Sequence, residues 1–324
     1  MPLLAYLAPI LAGGVTLGLL AWMLARDLRL PLDHPNERSL HGRPVPRSGG
    51  MAIMAGIFCA FAMLTIPPTL VLPCVLLAAV SFLDDVRGLP VMLRFVSHCV
   101  AAVGFAAAGF SAAPLGLLVL VVLSTVWMTN LYNFMDGSDG LAGGMTLLGF
   151  GFLGVAAWIA GDITLASMCF AIAASAVAFL VFNFHPARVF MGDTGSIPLG
   201  FLAAAIGAIG WRDGLWPMWF APAVFSPFIV DASITIIRRM LRRERLWIAH
   251  RDHYYQRLVL MGWGHRKTAL AEYALMLCCG LLALWAASQP VYLKLCAAAL
   301  LAVSYCAFAL TITVAWRRFS EKIR

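Results

Sequence analysis

The sequence predicts an all-α, polytopic membrane protein of about 11 transmembrane helices, with a periplasmic N-terminus and a cytoplasmic C-terminus. Three observations predict it. Hydrophobic residues make up 62% of the 324-residue chain and charged residues only 12%, far from the balance of a soluble domain. Apolar runs long enough to cross a bilayer recur along the whole chain, with no soluble domain or clear internal repeat between them. Of the 23 Lys and Arg, all but Arg212 and Lys294 fall in or beside the segments that follow odd-numbered runs. That bias places those segments in the cytoplasm.

The runs lie at 3–25, 49–66, 68–83, 91–109, 114–133, 141–160, 164–184, 196–211, 216–237, 268–288 and 290–315. The first lacks a basic leader and is too long for a signal-peptide core, so it is read as a retained span. Pro67-Pro68 breaks the second run from the third and makes the two a tight helical hairpin. The eight cysteines sit mostly inside apolar runs and form no Cys-x-x-Cys. They read as small apolar residues, which excludes a disulfide framework and a zinc site. The net charge of +8 reflects loops facing anionic lipid rather than nucleic acid. The whole chain reads as one integral membrane domain with cytoplasmic loops at 26–48, 84–90, 134–144, 185–196 and 238–267.

The polar residues agree in sidedness. Asp84 and Asp85 follow the third run, Asp136 and Asp139 the fifth, Asp193 the seventh, and His250-Arg251-Asp252-His253 the ninth. All therefore share one face. Ionisable groups at membrane depth are costly and mark function, and one site assembled from these segments explains them together. Asp231, near the centre of the ninth run, is the one mid-span carboxylate. A secondary transporter, the rival from another class, would place its charges there.

Each segment carries its own chemistry. Met191-Gly192-Asp193-Thr194-Gly195-Ser196 is a small-residue turn opening a helix, where free backbone N–H groups suit phosphate oxygens. Asp193 in that turn is a hard oxygen ligand for Mg²⁺; a plain helix cap is the alternative. Adjacent helical residues point apart, so Asp84 and Asp85 are expected to have different partners, one at the metal or substrate and one on a cation such as Arg87. Asn130, Asn133 and Asp136 recur at i, i+3, i+6 and can share a helical face. Gly137 and Gly140 after them permit close ligand approach. A calcium loop is excluded there, because the later ligand positions are apolar. The 26–48 loop holds five arginines and four prolines, and His41, Arg43 and Arg47 are its candidates for clamping phosphate. His250 and His253 lack the Cys or Glu that would complete a zinc site, so phosphate or sugar contact is expected of them and of Arg251. Carboxylates for Mg²⁺, helix starts for phosphate, arginines and histidines for charge, and Phe190 for stacking are the equipment of phosphoryl transfer. The depth of the carboxylates lets a lipid phosphate arrive sideways while a soluble nucleotide arrives from the cytosol.

Several motifs carry a family resemblance: Pro35-Asn36, Ser39, His41 and the 44–50 run; Leu83-Asp84-Asp85; Asn133-Phe134-Met135-Asp136-Gly137-x-Asp139-Gly140; and Phe190-Met191-Gly192-Asp193-Thr194-Gly195-Ser196. Together with the His-containing last loop, they resemble the polyprenyl-phosphate N-acetylhexosamine-1-phosphate transferases of glycosyltransferase family 4. The resemblance implies Mg²⁺ (or Mn²⁺), a UDP-N-acetylhexosamine donor, undecaprenyl phosphate in the bacterial inner membrane, and UMP as by-product. It implies Asp193 as metal ligand and Asp84, Asp85 and Asp136 as the essential carboxylates, one of the first pair deprotonating or positioning the lipid phosphate. Phe190 resembles the aromatic that stacks on uracil, with Asn133, Asn183, Gly137 and Asp139 as its neighbours, and His250 and His253 match the donor-contacting loop. Pro46-Arg47-Ser48-Gly49-Gly50 and HRDHYYQRL depart from the peptidoglycan branch, which is related through its phospho-MurNAc-pentapeptide transferase. Both departures favour the O-antigen or teichoic-acid-like branch, hence the first step of lipopolysaccharide or related cell-envelope polysaccharide synthesis. The lysine of the peptidoglycan enzymes' first loop is absent, with His41 or Arg43 in its place. The sugar is N-acetylglucosamine or a deoxy form such as N-acetylfucosamine or N-acetylquinovosamine. A homodimer is the alternative to a monomer.

Overall fold

The computed structural model describes residues 2–26, 31–33, 40, 43–245 and 250–323. Helices account for most of them. In chain order they are α1 (Pro2–Ala25), α2 (Gly49–Met63), α3 (Pro68–Arg87), α4 (Val91–Gly109), α5 (Leu115–Phe134), α6 (Leu141–Ile159), α7 (Ile163–Asn183), α8 (Asp193–Arg212), α9 (Phe220–Val224), α10 (Ser226–Leu241), α11 (Tyr254–Leu258), α12 (Gly264–Ala287) and α13 (Val291–Ile323). A π-helical turn, Val259–Trp263, joins α11 to α12. Two short antiparallel strands, β1 (Leu32–Asp33) and β2 (Val45–Pro46), pair within the first loop, Leu32 opposite Pro46 and Asp33 opposite Val45.

Sequence signals account for where the helices start and stop. Pro67, Pro90 and Pro114 immediately precede α3, α4 and α5, where a missing N–H costs nothing. Asp162 caps α7 by accepting from the Leu165 N–H at 2.9 Å. Among the described residues, nine helices are long and apolar enough to cross a membrane. Every predicted run has a helix on it, but two fall short of a span. α2 has 15 residues, against about 20 for a full crossing. The ninth run is split at Phe225 into α9 and α10, because Pro227 in the first turn of α10 cannot donate back across the junction. These helices make the chain a multi-pass, all-α membrane protein.

α8 is the central helix, buried along nearly its whole length, whereas α13 is mostly exposed. α8 packs against α3 and α5, and α7 against α1 and α6. Small residues dominate the inner helices, as expected where lipid tails supply no hydrophobic drive and close backbone approach must hold helices together. The consequence for the site is positional: α8 begins at Asp193, so the axis of the bundle ends on that carboxylate.

Candidate active site

A cavity of about 380 Å³ opens at one end of the bundle, where α5 and α7 end and α8 and α12 begin. Arg47, Asn133, Asp136, Gly137, Asp139, Asn183, Phe190, Asp193 and His250 all line it. Residues from five separate stretches of sequence thus meet at one place.

The Met191–Ser196 turn is built by backbone geometry. Gly192 has φ 71° and ψ 174°, a conformation that disfavours any residue with a Cβ. A Cβ there would also press on the Arg47 carbonyl and the Asp85 carboxylate. At Gly50 the space for a side chain is filled by the backbone of Gly195, so α2 and α8 start in direct contact. Three backbone bonds stitch the first loop to this turn: Phe190 N–H to Pro46 O at 2.8 Å, Gly49 N–H to Phe190 O at 2.9 Å, and Gly50 N–H to Met191 O at 2.8 Å.

The two adjacent aspartates do take different partners, but both lie in the last turn of α3, not in a loop. Asp84 accepts from Arg94 Nη1 at 2.9 Å and from the Leu89 N–H. Its cation is Arg94 rather than Arg87. Asp85 accepts from the Thr194 N–H at 2.9 Å, Thr194 Oγ1 at 2.6 Å, the Asp193 N–H at 3.2 Å and Arg47 Nη2 at 3.3 Å. Asp85 is therefore the cap of α8, supplied from another helix. This corrects the expectation that the first N–H groups of α8 are left free for phosphate: two of them are already satisfied by Asp85. Arg94 also donates to Asp193 Oδ2 at 3.1 Å, so one guanidinium ties α3, α4 and α8 together.

Asp136 lies beyond the end of α5, not on its face with Asn130. Burial, reinforced by the nearby charges of Asp193 and Asp85, holds its carboxyl well above the usual carboxylate range. Asp139 accepts from His185 Nδ1 at 2.7 Å and the Ala187 N–H at 3.1 Å. Asn183 accepts from the Gly140 N–H and donates to Val189 O, each at 2.9 Å. These two buried side chains bind the 137–140 turn to the 185–190 turn, so they shape the cavity wall that they also line.

His250 lines the cavity, with its Nδ1 accepting from the Asp252 N–H at 3.3 Å. Burial, then the neighbouring His253 and Arg239, push its pKa down to about 4, so at neutral pH it offers an uncharged Nε2–H donor. His253 is buried behind it, rings stacked at 5.0 Å, and bonds Asp231 Oδ1 at 3.1 Å. It does not line the cavity. Arg251 is partly buried and Arg43 exposed, and neither lines the cavity. His41 lies outside the described residues.

Sequence reasoning missed Arg94, Ser138, Tyr255, Gln256 and His265. Arg94 had one signal: it is a guanidinium inside the first turn of a spanning helix rather than in a loop. His265, with Nδ1 2.9 Å from Ser138 Oγ and Nε2 donating to Leu40 O at 3.1 Å, carried no signal at all.

The donor set suits a hard divalent cation. Asp136 and Asp193 line the same cavity, and a cation there would relieve the charge repulsion that adds to burial in raising the Asp136 carboxyl. Among the described residues no three His, Cys, Asp or Glu side chains converge as an all-protein cage. Mg²⁺ does not require one, because it takes one or two carboxylates and completes its shell with water and phosphate oxygens.

Comparison with known proteins agrees with this geometry. A model described as "Glycosyl transferase family 4" matches residues 67–210. A probable undecaprenyl-phosphate N-acetylglucosaminyl 1-phosphate transferase of Bacillus subtilis is 28% identical over 82% of this chain and 79% of its own. The undecaprenyl-phosphate alpha-N-acetylglucosaminyl 1-phosphate transferase of Yersinia pestis is 31% identical over 73% of this chain and 71% of its own. A phospho-N-acetylmuramoyl-pentapeptide-transferase of Levilactobacillus brevis is 31% identical over 52% of this chain and 50% of its own. Fold and site thus define an integral-membrane transferase. The chain belongs to glycosyl transferase family 4, among the polyprenyl-phosphate N-acetylhexosamine-1-phosphate transferases.

Proposed function

We propose that the protein transfers N-acetylhexosamine-1-phosphate from a UDP-sugar to undecaprenyl phosphate at the cytoplasmic face of the bacterial inner membrane. The observation that carries this reading is one cavity lined by Asp136, Asp193, Arg47 and Phe190 at the end of the bundle, beside the apolar, exposed flanks of α3 and α4. A nucleotide enters the cavity from water. A polyprenyl phosphate reaches Asp84 and Arg94 from the lipid side. N-acetylglucosamine is the favoured sugar, because the Bacillus and Yersinia proteins named for it match this chain over a larger share than the pentapeptide transferase does. A deoxy-N-acetylhexosamine and an O-antigen product remain part of the same reading.

In this mechanism Phe190 stacks on uracil, and the neutral His250 donates to the donor's sugar or phosphate. Arg47 draws the donor pyrophosphate toward Asp193. Asp193, with Asp136 beside it, would hold Mg²⁺, whose contribution is neutralisation of pyrophosphate charge. Arg94 turns from Asp193 to the acceptor phosphate, and Asp84 or Asp85 removes or orients that phosphate's proton. An acceptor oxygen bonds to the β-phosphorus, the bond from that phosphorus to the bridging oxygen breaks, and UMP leaves. A one-step attack and a covalent aspartyl intermediate both fit these positions.

The test is a donor panel. Purified protein with undecaprenyl phosphate is given labelled UDP-N-acetylglucosamine, UDP-N-acetylfucosamine, UDP-N-acetylquinovosamine and UDP-MurNAc-pentapeptide. Lipid-extractable label with equimolar UMP from one of the first three is expected. Label only from the pentapeptide donor would move the protein to the peptidoglycan branch.

A further inference from the structure

We infer that Asp231 is a positioning residue that sets the donor-binding segment 250–256 against the cavity; this rests on the donor reading above. Asp231 lies in the interior of α10 and is buried. A carboxylate there is expensive unless its oxygens are satisfied. Four donors satisfy it. Oδ1 accepts from the Tyr254 N–H at 3.0 Å, from His253 Nδ1 at 3.1 Å and from Thr235 Oγ1 at 3.2 Å. Oδ2 accepts from the Tyr255 N–H at 3.1 Å. Three of these four donors belong to the segment after α10, so one side chain determines where that segment starts its helical turn.

The consequences reach the cavity in two steps. His253, fixed by Asp231, stacks on His250 at 5.0 Å and on Tyr255 at 5.7 Å. Tyr255, fixed through its own N–H, bonds the Phe134 carbonyl at 3.2 Å and fills the space that a side chain at Gly137 would need. His250, Tyr255 and Gly137 all line the cavity. Asp231 touches none of the space a substrate would occupy. It acts by holding the residues that do, as a carboxylate orients an imidazole in catalytic and metal sites. The same bonds commit Asp231 to its own chain, which weighs against reading it as a transported ion's ligand.

The predicted signature is specific to the donor. Asp231→Asn keeps the shape but turns one acceptor into an N–H₂ group that faces an N–H donor. The donor KM should rise about tenfold or more, the scale of losing a charge-assisted bond, with the KM for polyprenyl phosphate within about twofold of wild type. In the double variant with His253→Ala, the two effects should combine to much less than their product. An unchanged donor KM, or equal rises in both KM values, would overturn the proposal. If Asp231→Asn does not fold, Thr235→Val removes one of the four donors and should raise the donor KM about threefold; no change there overturns it equally. Wild-type protein inactive with every UDP-sugar would instead count against the donor reading itself.

Discussion

Asp193→Asn is expected to lower sugar-phosphate transfer on the order of 100–1000-fold while leaving the folded bundle intact. The side chain opens α8 and lines the cavity, but it does not cap its own helix. Its side chain accepts from Arg94, which stays paired with Asp84 at the shorter distance of 2.9 Å. The lost pair involves a partly exposed guanidinium and is worth at most about 1 kcal/mol. Against it stands relief of the charge on Asp136, whose carboxyl is raised by burial and then by Asp193 and Asp85. A carboxyl raised in the folded state keeps its proton there after the unfolded chain has lost it. Stability therefore falls as pH rises from about 4 through the folded value. Removing the Asp193 charge lowers that folded value and shrinks the loss. In detergent, Asp193→Asn should melt close to wild type near pH 4 and gain on it as pH rises. A variant that is inactive because it melts far below wild type at every pH would contradict this.

Asp85→Ala should lose both activity and stability, and that is what separates its role from that of Asp193. Four bonds converge on Asp85, three of them from the first turn of α8. Losing a helix cap costs about 1–2 kcal/mol, and Arg47 loses its buried partner as well. The apparent Tm should fall by roughly 3–6 °C, and transfer should fall on the order of 100-fold, because the Gly192 turn carrying Asp193 shifts with the loosened helix start. Thermal unfolding followed with activity on the same preparation checks it. Wild-type stability with lost activity would make Asp85 a purely chemical residue.

Much of this site was legible in the sequence because membrane depth makes polar residues conspicuous. Asp84, Asp85, Asp136, Asp139 and Asp193 stood out against apolar runs, and their common sidedness foretold one cluster. What could not be read was which group each one touches. Asp85 caps α8 across 108 residues of chain, and no local spacing encodes that. Arg94 was absorbed into the charge bias of the loops, yet it bridges two of the carboxylates. His253 looked like a ligand-contacting twin of His250, but the helical turn that starts after it buries its ring on Asp231. Helix lengths followed hydrophobicity, except where α2 stops at Met63 and where Pro227 split the ninth run.

One phosphorus of the donor is expected to pass to the lipid while the other leaves with the nucleoside. Two UDP-N-acetylglucosamine preparations, one labelled at the α-phosphorus and one at the β-phosphorus, test it directly with undecaprenyl phosphate. The β-label should appear in the lipid extract and the α-label in soluble UMP, in equal amounts. An α-label in the lipid, or both labels left in the aqueous phase, would contradict it.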